Sequence, residues 1–285
     1  MRPEGDKPVT RRVRTGKLGT TMALRSEMDW LVRPDPREAA SLTLVCFPYA
    51  GGGASAWRGW SDSLPTEVEV LGVQPPGREQ RLLEPAFDEL EPLLEAIVWE
   101  LAPALTRPFA FFGHSLGALL AYEVAHVLRR RAGEPRYLFV SGLRAPHLPL
   151  PWDPIHRLPD RAVIDELRRL GGTPPAVLDH DEMMELVLPP LRADLAVCET
   201  YTYRPRPRLR CPIAAFAGVT DPSVTTPEIA AWREHTDGEF TLQLFPSDHF
   251  FLQHSRTPLL AAVSECLHPL LAPAAQVAVA RRGVG

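Results

Sequence analysis

Short apolar runs alternate along this chain with longer stretches whose apolar residues recur every three or four positions. Leu42-Thr43-Leu44-Val45-Cys46-Phe47, Val68-Glu69-Val70-Leu71-Gly72-Val73, Phe109-Ala110-Phe111-Phe112 and Tyr137-Leu138-Phe139-Val140-Ser141 have the length of strands. Residues 212–217 and 240–245 supply two more. Between them, Ala54 to Leu64, Leu90 to Leu105 and Ala118 to Leu128 read as helices. Several strands are apolar on both faces, as in a sheet covered from both sides. The alternation predicts an α/β fold, a mainly parallel sheet with helices on both faces, ordered from near Trp30. No internal repeat is visible.

One interval breaks the alternation. From Arg144 to Tyr203 no run reads as a strand, but three read as helices. Asp160 is placed to cap the first, which carries Val163, Ile164, Leu167 and Leu170 and stops at Gly171-Gly172. Glu182 to Leu188 forms the second, ended by Pro189-Pro190, and Leu191 to Thr200 the third. A helical insert of about 144–203, between two sheet strands, is expected to lie over the strand ends as a lid. Met183 and Met184 within it are candidates to line an acyl pocket; the plainer reading is packing.

The chain of 285 residues suffices for one large domain. That domain is expected over 28–270, with residues 1–27 a disordered extension and 271–285 a flexible tail. The extension is rich in Arg and Lys and has no apolar core of a secretory signal; Met22 and Met28 are alternative starts. A net charge of −4 does not mark a nucleic-acid binder. No run approaches the roughly 18 apolar residues of a membrane span. Cys46, Cys198, Cys211 and Cys266 are widely spaced, which fits reduced thiols in a cytoplasmic protein and neither a zinc site nor a disulfide framework.

Candidate chemistry concentrates at Gly113-His114-Ser115-Leu116-Gly117. The pentapeptide alone is weak, but it stands between an apolar run and a helical one. Strand, G-x-S-x-G, helix is the layout of a nucleophile elbow, a turn so tight that only small residues fit beside the serine. A serine hydroxyl needs a base, and the base needs an orienting acid. His249 is the best of the nine histidines, on a loop after the run ending at Phe245. Asp221 follows the strand after the lid, so both stand where strands end, the edge at which sites of open α/β sheets collect. Asp248, Asp194, His114 and His254 compete less well: the first should point elsewhere, the second lies in the lid, the third should face away from the hydroxyl, and the last is peripheral. An oxyanion hole would use the backbone N–H of Leu116 and, from the glycine-rich loop after the first strand, that of Ala50. No Gly-Lys-Ser/Thr follows that loop, so phosphate binding is the weaker reading.

Cys46-Phe47-Pro48-Tyr49-Ala50-Gly51-Gly52-Gly53-Ala54-Ser55 with Trp60, then Val73-Gln74-Pro75-Pro76-Gly77-Arg78-Glu79, the elbow, Leu191-Arg192-Ala193-Asp194, Asp221-Pro222 and Asp248-His249-Phe250-Phe251 resemble type II thioesterases. The resemblance runs from about residue 41 to about 268. It implies an α/β-hydrolase that removes misprimed or stalled acyl groups from the phosphopantetheine arm of carrier proteins in polyketide and nonribosomal peptide synthesis. It implies Ser115 as nucleophile, Asp221 as acid, His249 as base, Ala50 and Leu116 as oxyanion donors, no metal or organic cofactor, carrier domains as partners, and by default a monomer. Pro75 and Ser247 depart from the usual leucine and glycine. Arg204-Pro205-Arg206-Pro207-Arg208-Leu209-Arg210 is more basic than usual, either a docking patch or, more simply, a stiffened solvated linker. A carboxylesterase or acyltransferase of the same fold, a product-releasing thioesterase, and a non-catalytic binding module are the alternatives.

Overall fold

The computed structural model describes residues 30–271. The expectations for the N-terminal extension and for 272–285 lie outside those residues; Leu271 itself closes the last helix.

Seven strands form one sheet: β1 (Leu31–Val32), β2 (Leu42–Phe47), β3 (Val68–Val73), β4 (Phe109–His114), β5 (Leu138–Ser141), β6 (Ile213–Gly218) and β7 (Phe240–Phe245). Their order is β1-β3-β2-β4-β5-β6-β7. Only β1 pairs antiparallel; all other neighbours are parallel. Every residue of β2, β3, β4, β5 and β6 is buried, whereas the edge strand β7 alternates. Central strands must be apolar on both faces because helices cover both.

Helices α1 (Leu90–Ala104) and α2 (Leu116–Leu128) pack on one face, through Leu93, Ile97, Leu101, Leu120 and Val124. The other face carries α8 (Arg256–Leu271), through Leu259, Leu260, Val263 and Leu267, together with Trp57 and Trp60. The expected helix over Ala54 to Leu64 is replaced by two 3₁₀ turns, Ala54–Trp57 and Ser61–Ser63. Gly59, at φ +69°, breaks the run, and the three-residue spacing of the 3₁₀ form suits two tryptophans that both face the sheet.

The lid comprises α3 (Asp160–Leu170), α4 (Pro175–Leu178) and α5 (Asp181–Glu199), between β5 and β6. Three details differ from expectation. Asp160 does not cap α3; it is the first helical residue, and its carboxylate accepts Arg192 Nη2 at 2.5 Å. The short α4 is additional. The two helices expected around Pro189-Pro190 are one, since α5 runs through both prolines. The carbonyls that lose their donors belong to Glu185 and Leu186, which are exposed, so water replaces the missing bonds. Meanwhile Met184, Leu188, Leu191 and Val197 keep one continuous buried face. The arginine-rich strap is pinned at Arg206, while Arg204 and Arg208 stay exposed. Arg206 is half-buried against Glu123 and lies over Tyr122, while Arg204 and Arg208 reach Glu91 and Asp237 at 3.5 and 3.8 Å. Beyond β7 only α7 (Phe251–His254) precedes α8, and α6 (Thr226–Ala230) follows β6.

Candidate active site

Ser115 stands between β4 and α2 at φ 53°, ψ −123°, one of two non-glycine residues with positive φ among the described residues. Such a conformation costs of order 1–3 kcal/mol and survives only where its surroundings impose it. They do so here. A Cβ on Gly113 would sit 2.5 Å from the Ala118 nitrogen, and one on Gly117 2.6 Å from the Phe47 carbonyl carbon and 2.7 Å from the Pro48 oxygen. All are backbone atoms. The Ser115 N–H donates to Ser141 O at 2.8 Å, tying the elbow to β5. Leu116 opens α2, so its N–H has no acceptor within the helix. The loop Phe47–Pro48 lies against Gly117, and Ala50 follows two residues later in the glycine-rich turn.

Asp221 and His249 leave the ends of β6 and β7. Their loops meet at Gly218, where a Cβ would lie 2.9 Å from the Asp248 carbonyl carbon. His249 Nδ1 lies 2.7 Å from Asp221 Oδ2, and both side chains are buried. Burial alone pushes the Asp221 carboxyl up, but hydrogen bonding and charge from His249, with two bonds from Ser223, bring it below the usual value. The Ser223 bonds come from its N–H at 2.8 Å and its hydroxyl at 2.6 Å, both to Oδ1. Asp221 is therefore a fixed anion facing the imidazole, which leaves Nε2 as the nitrogen available for a proton from a nucleophile. Ser115 and His249 border one cavity.

The competing residues have other partners. His114 is fully buried, with Nδ1 2.8 Å from Ser141 Oγ and its ring 4.9 Å from that of His249. Burial, then the His249 charge, hold its pKa well below 6.5, so it packs as a neutral ring. Asp248 accepts the Phe250 N–H at 2.9 Å, and His254 approaches it at 3.3 Å. Asp194 is buried on the underside of α5, paired with Arg78 and accepting the Gly51 N–H at 2.7 Å.

The cavity has a volume of about 100 Å³ and is walled chiefly by Leu143, Leu150, Trp152, Ile155, Leu170 and Leu195. Cys198 also borders it, but burial and nearby carboxylates push its thiol up to about 12, so it is no rival nucleophile. The two methionines do not line this cavity. Met184 is buried inside the lid with Val163, Leu178, Leu188 and Leu191, and Met183 is exposed. About three turns of α5 separate Met184 from Leu195, which with Cys198 supplies the face toward Ser115 instead.

Residues 42–268 match the family described as "Thioesterase domain". The chain belongs to the thioesterase family. This thioesterase is 44% identical over 245 residues to the gramicidin S biosynthesis protein GrsT of Aneurinibacillus migulanus, covering 86% of the chain and 96% of that protein. Among solved structures it is similar to the RedJ thioesterase from the prodiginine biosynthetic pathway in Streptomyces coelicolor, at 49% identity and TM-score 0.76, over 82% of this chain and 88% of that one. The type II thioesterase BorB from the borrelidin biosynthetic cluster aligns at 38% identity and TM-score 0.77, over 83% and 96%. The expected α/β-hydrolase architecture, with parallel sheet, helices on both faces and helical lid, is the one observed.

Sequence reasoning missed three parts of the site. Ser223 had a local signal, because an Asp whose carboxylate accepts the N–H two residues on is a common turn. Arg78 and Asp194 were visible as motif residues without a role. The cavity walls come from four separate segments and had no signal along the chain.

Proposed function

We propose that this protein is a stand-alone type II thioesterase that hydrolyses acyl groups from the phosphopantetheine arm of carrier proteins in polyketide or nonribosomal peptide synthesis. The observation that carries the reading is the buried Asp221–His249 pair sharing a lidded cavity with a strained Ser115. His249 takes the Ser115 proton as the hydroxyl attacks the thioester carbonyl. The oxyanion is received by the N–H groups of Leu116 and Ala50, the former at a helix N-terminus that favours negative charge. The C–S bond breaks, His249 returns the proton to the thiolate, and the acyl group stays on Ser115. Water then attacks, giving its proton to His249, which returns it to the Ser115 oxygen as the acyl C–O bond breaks and the free acid leaves. Asp221 holds the imidazole tautomer throughout. The chemistry requires no metal or organic cofactor of the protein's own.

The cavity is small beside the roughly 300–1,000 Å³ of ordinary ligand pockets, which favours short acyl groups of the kind that stall an assembly line. The 38% identity to BorB, a type II thioesterase, supports the type II reading. Four cysteines without disulfide partners support the cytoplasm as its place of work, and no helix among the described residues is long and apolar enough to cross a membrane. We take the enzyme to act as a monomer on acidic carrier domains. The test is a panel of acyl-loaded carrier proteins set against the matching acyl-coenzyme A and oxygen esters. Carrier thioesters should be cleaved fastest, and Ser115→Ala should abolish release. A strong preference for simple esters would point to a carboxylesterase instead, and undiminished hydrolysis by Ser115→Ala would remove the nucleophile.

A further inference from the structure

Asp194 and Arg78 form a buried ion pair, with Arg78 Nη2 3.1 Å from Asp194 Oδ1 and Nη1 close against Oδ2. Such a pair contributes little net stability, because desolvating both charges offsets their attraction. Its position suggests a different use. Asp194 rides on the lid helix α5, yet its Oδ2 also accepts the N–H of Gly51 at 2.7 Å. Arg78 donates to the neighbouring Gly52 carbonyl at 3.3 Å, and Gln74 from the same segment accepts the Ala54 N–H at 2.8 Å. The glycine-rich loop is thus gripped from two sides, by the lid and by residues 74–78. Leu191, one turn before Asp194, touches the same point, since its Cδ1 lies 3.3 Å from where a Gly51 Cβ would be.

Gly51 has φ +77°. The Ala50 N–H shares its planar peptide with the Tyr49 carbonyl, which accepts the Gly52 N–H at 2.8 Å, so the turn that Asp194 holds at Gly51 is the one that aims the Ala50 donor. We infer that Asp194, backed by Arg78, is a positioning residue that makes the oxyanion hole conditional on a seated lid. When the lid lifts to admit an acyl group, Gly51 loses its acceptor and the Ala50 donor loses its aim. Hydrolysis then waits until α5 returns over the bound acyl group and excludes bulk water. This rests on the reading of Ala50 as an oxyanion donor given above.

The test separates the oxyanion from ground-state binding. A trifluoromethyl ketone analogue of a short acyl thioester adds to Ser115 and places an oxyanion in the hole; the corresponding thioether fills the same cavity without one. Asp194→Ala should lower kcat about a hundredfold, the size of losing one oxyanion donor, and weaken the ketone by a similar factor while thioether affinity holds within about twofold. Asp194→Asn should recover much of the loss, since its amide oxygen still accepts the Gly51 N–H. Because Asp194→Ala strands a buried arginine and can unfold the protein, the double variant Arg78→Met/Asp194→Ala repeats the measurement without that charge. Equal weakening of both analogues, or an unchanged kcat in a folded variant, overturns the inference. Running the series on p-nitrophenyl acetate as well keeps it distinct from the carrier-protein reading, since ester cleavage needs the same hole whatever leaving group the enzyme serves. Failure of wild type on carrier thioesters alone would count against that reading only.

Discussion

Replacing Gly117 by alanine sets two effects against each other. Gly117 is the second residue of α2, where alanine is a better helix former by about 1 kcal/mol. Against this, the new methyl would lie 2.6 Å from the Phe47 carbonyl carbon and 2.7 Å from the Pro48 oxygen, inside the 3.0 Å that real Cβ atoms essentially never breach. The obstructing atoms are backbone at the end of β2, the fully buried strand beside β4, so no side chain can rotate away. Overpacking typically costs 1–3 kcal/mol, and an unyielding neighbour puts this case at about 3 kcal/mol or more. The clash wins, by about 2 kcal/mol net. For a domain of this size that lowers Tm by about 4–8 °C. Relief by pushing the loop away moves the Ala50 donor from the Leu116 donor, so kcat should fall about a hundredfold or more even at temperatures where the variant is folded. Thermal melting by circular dichroism and single-turnover hydrolysis of a short acyl thioester read the two effects separately. A Gly117→Ala variant with unchanged Tm and kcat would refute the argument that backbone contact, rather than sequence habit, demands glycine here.

Other consequences are open to measurement. Asp221→Asn should keep the fold but lower kcat by roughly 10⁴-fold, because the amide no longer favours the reactive imidazole tautomer; a loss below tenfold would contradict the pairing. Ser223→Ala should cost less, about 1 kcal/mol of orientation, seen as a severalfold drop in kcat with KM unchanged. Leu150→Ala thins the wall that the Ser115 cavity shares with a neighbouring cavity of about 250 Å³, and should move preference toward longer acyl chains by roughly tenfold. The acid limb of stability follows from buried histidines. Burial first, then nearby cations, push His126 and His235 down from 6.5 to about 3 and about 4. The unfolded chain takes these protons near 6.5 and the folded one does not, so stability should fall as pH drops from about 6.5 toward 4. Asp221, with its pKa lowered, works in another window: its contribution is full above the ordinary carboxylate range and is lost as pH falls from about 3.8 through its lower folded value. Urea midpoints at pH 7, 5.5 and 4.5 measure the slope, and His126→Leu, which removes an imidazole whose buried Nε2 has no partner, should flatten it.

Most of the sheet was legible along the chain because central parallel strands must be apolar throughout, and Leu42–Phe47 or Phe109–Phe112 have no other reading of comparable weight. Helix ends were less so. Pro189-Pro190 looked like a break because the local cost of proline was visible and the packing that outweighs it was not, although Met184, Leu188, Leu191 and Val197 already carried the uninterrupted period. The elbow, the acid and the base were each recognisable, since a tight turn admits few residue types and strand ends collect functional groups. By itself the sequence determined the fold class, the chain order of Ser115, Asp221 and His249, and the family. Only the tertiary structure decided that Leu195, rather than Met183 or Met184, faces the cavity. Tertiary structure alone likewise joins Asp194 to Gly51, 143 positions away. Which turn of an amphipathic helix covers a site, and which distant carboxylate meets a backbone N–H, depend on how the lid seats on the sheet. That seating is set by contacts among segments no local pattern encodes.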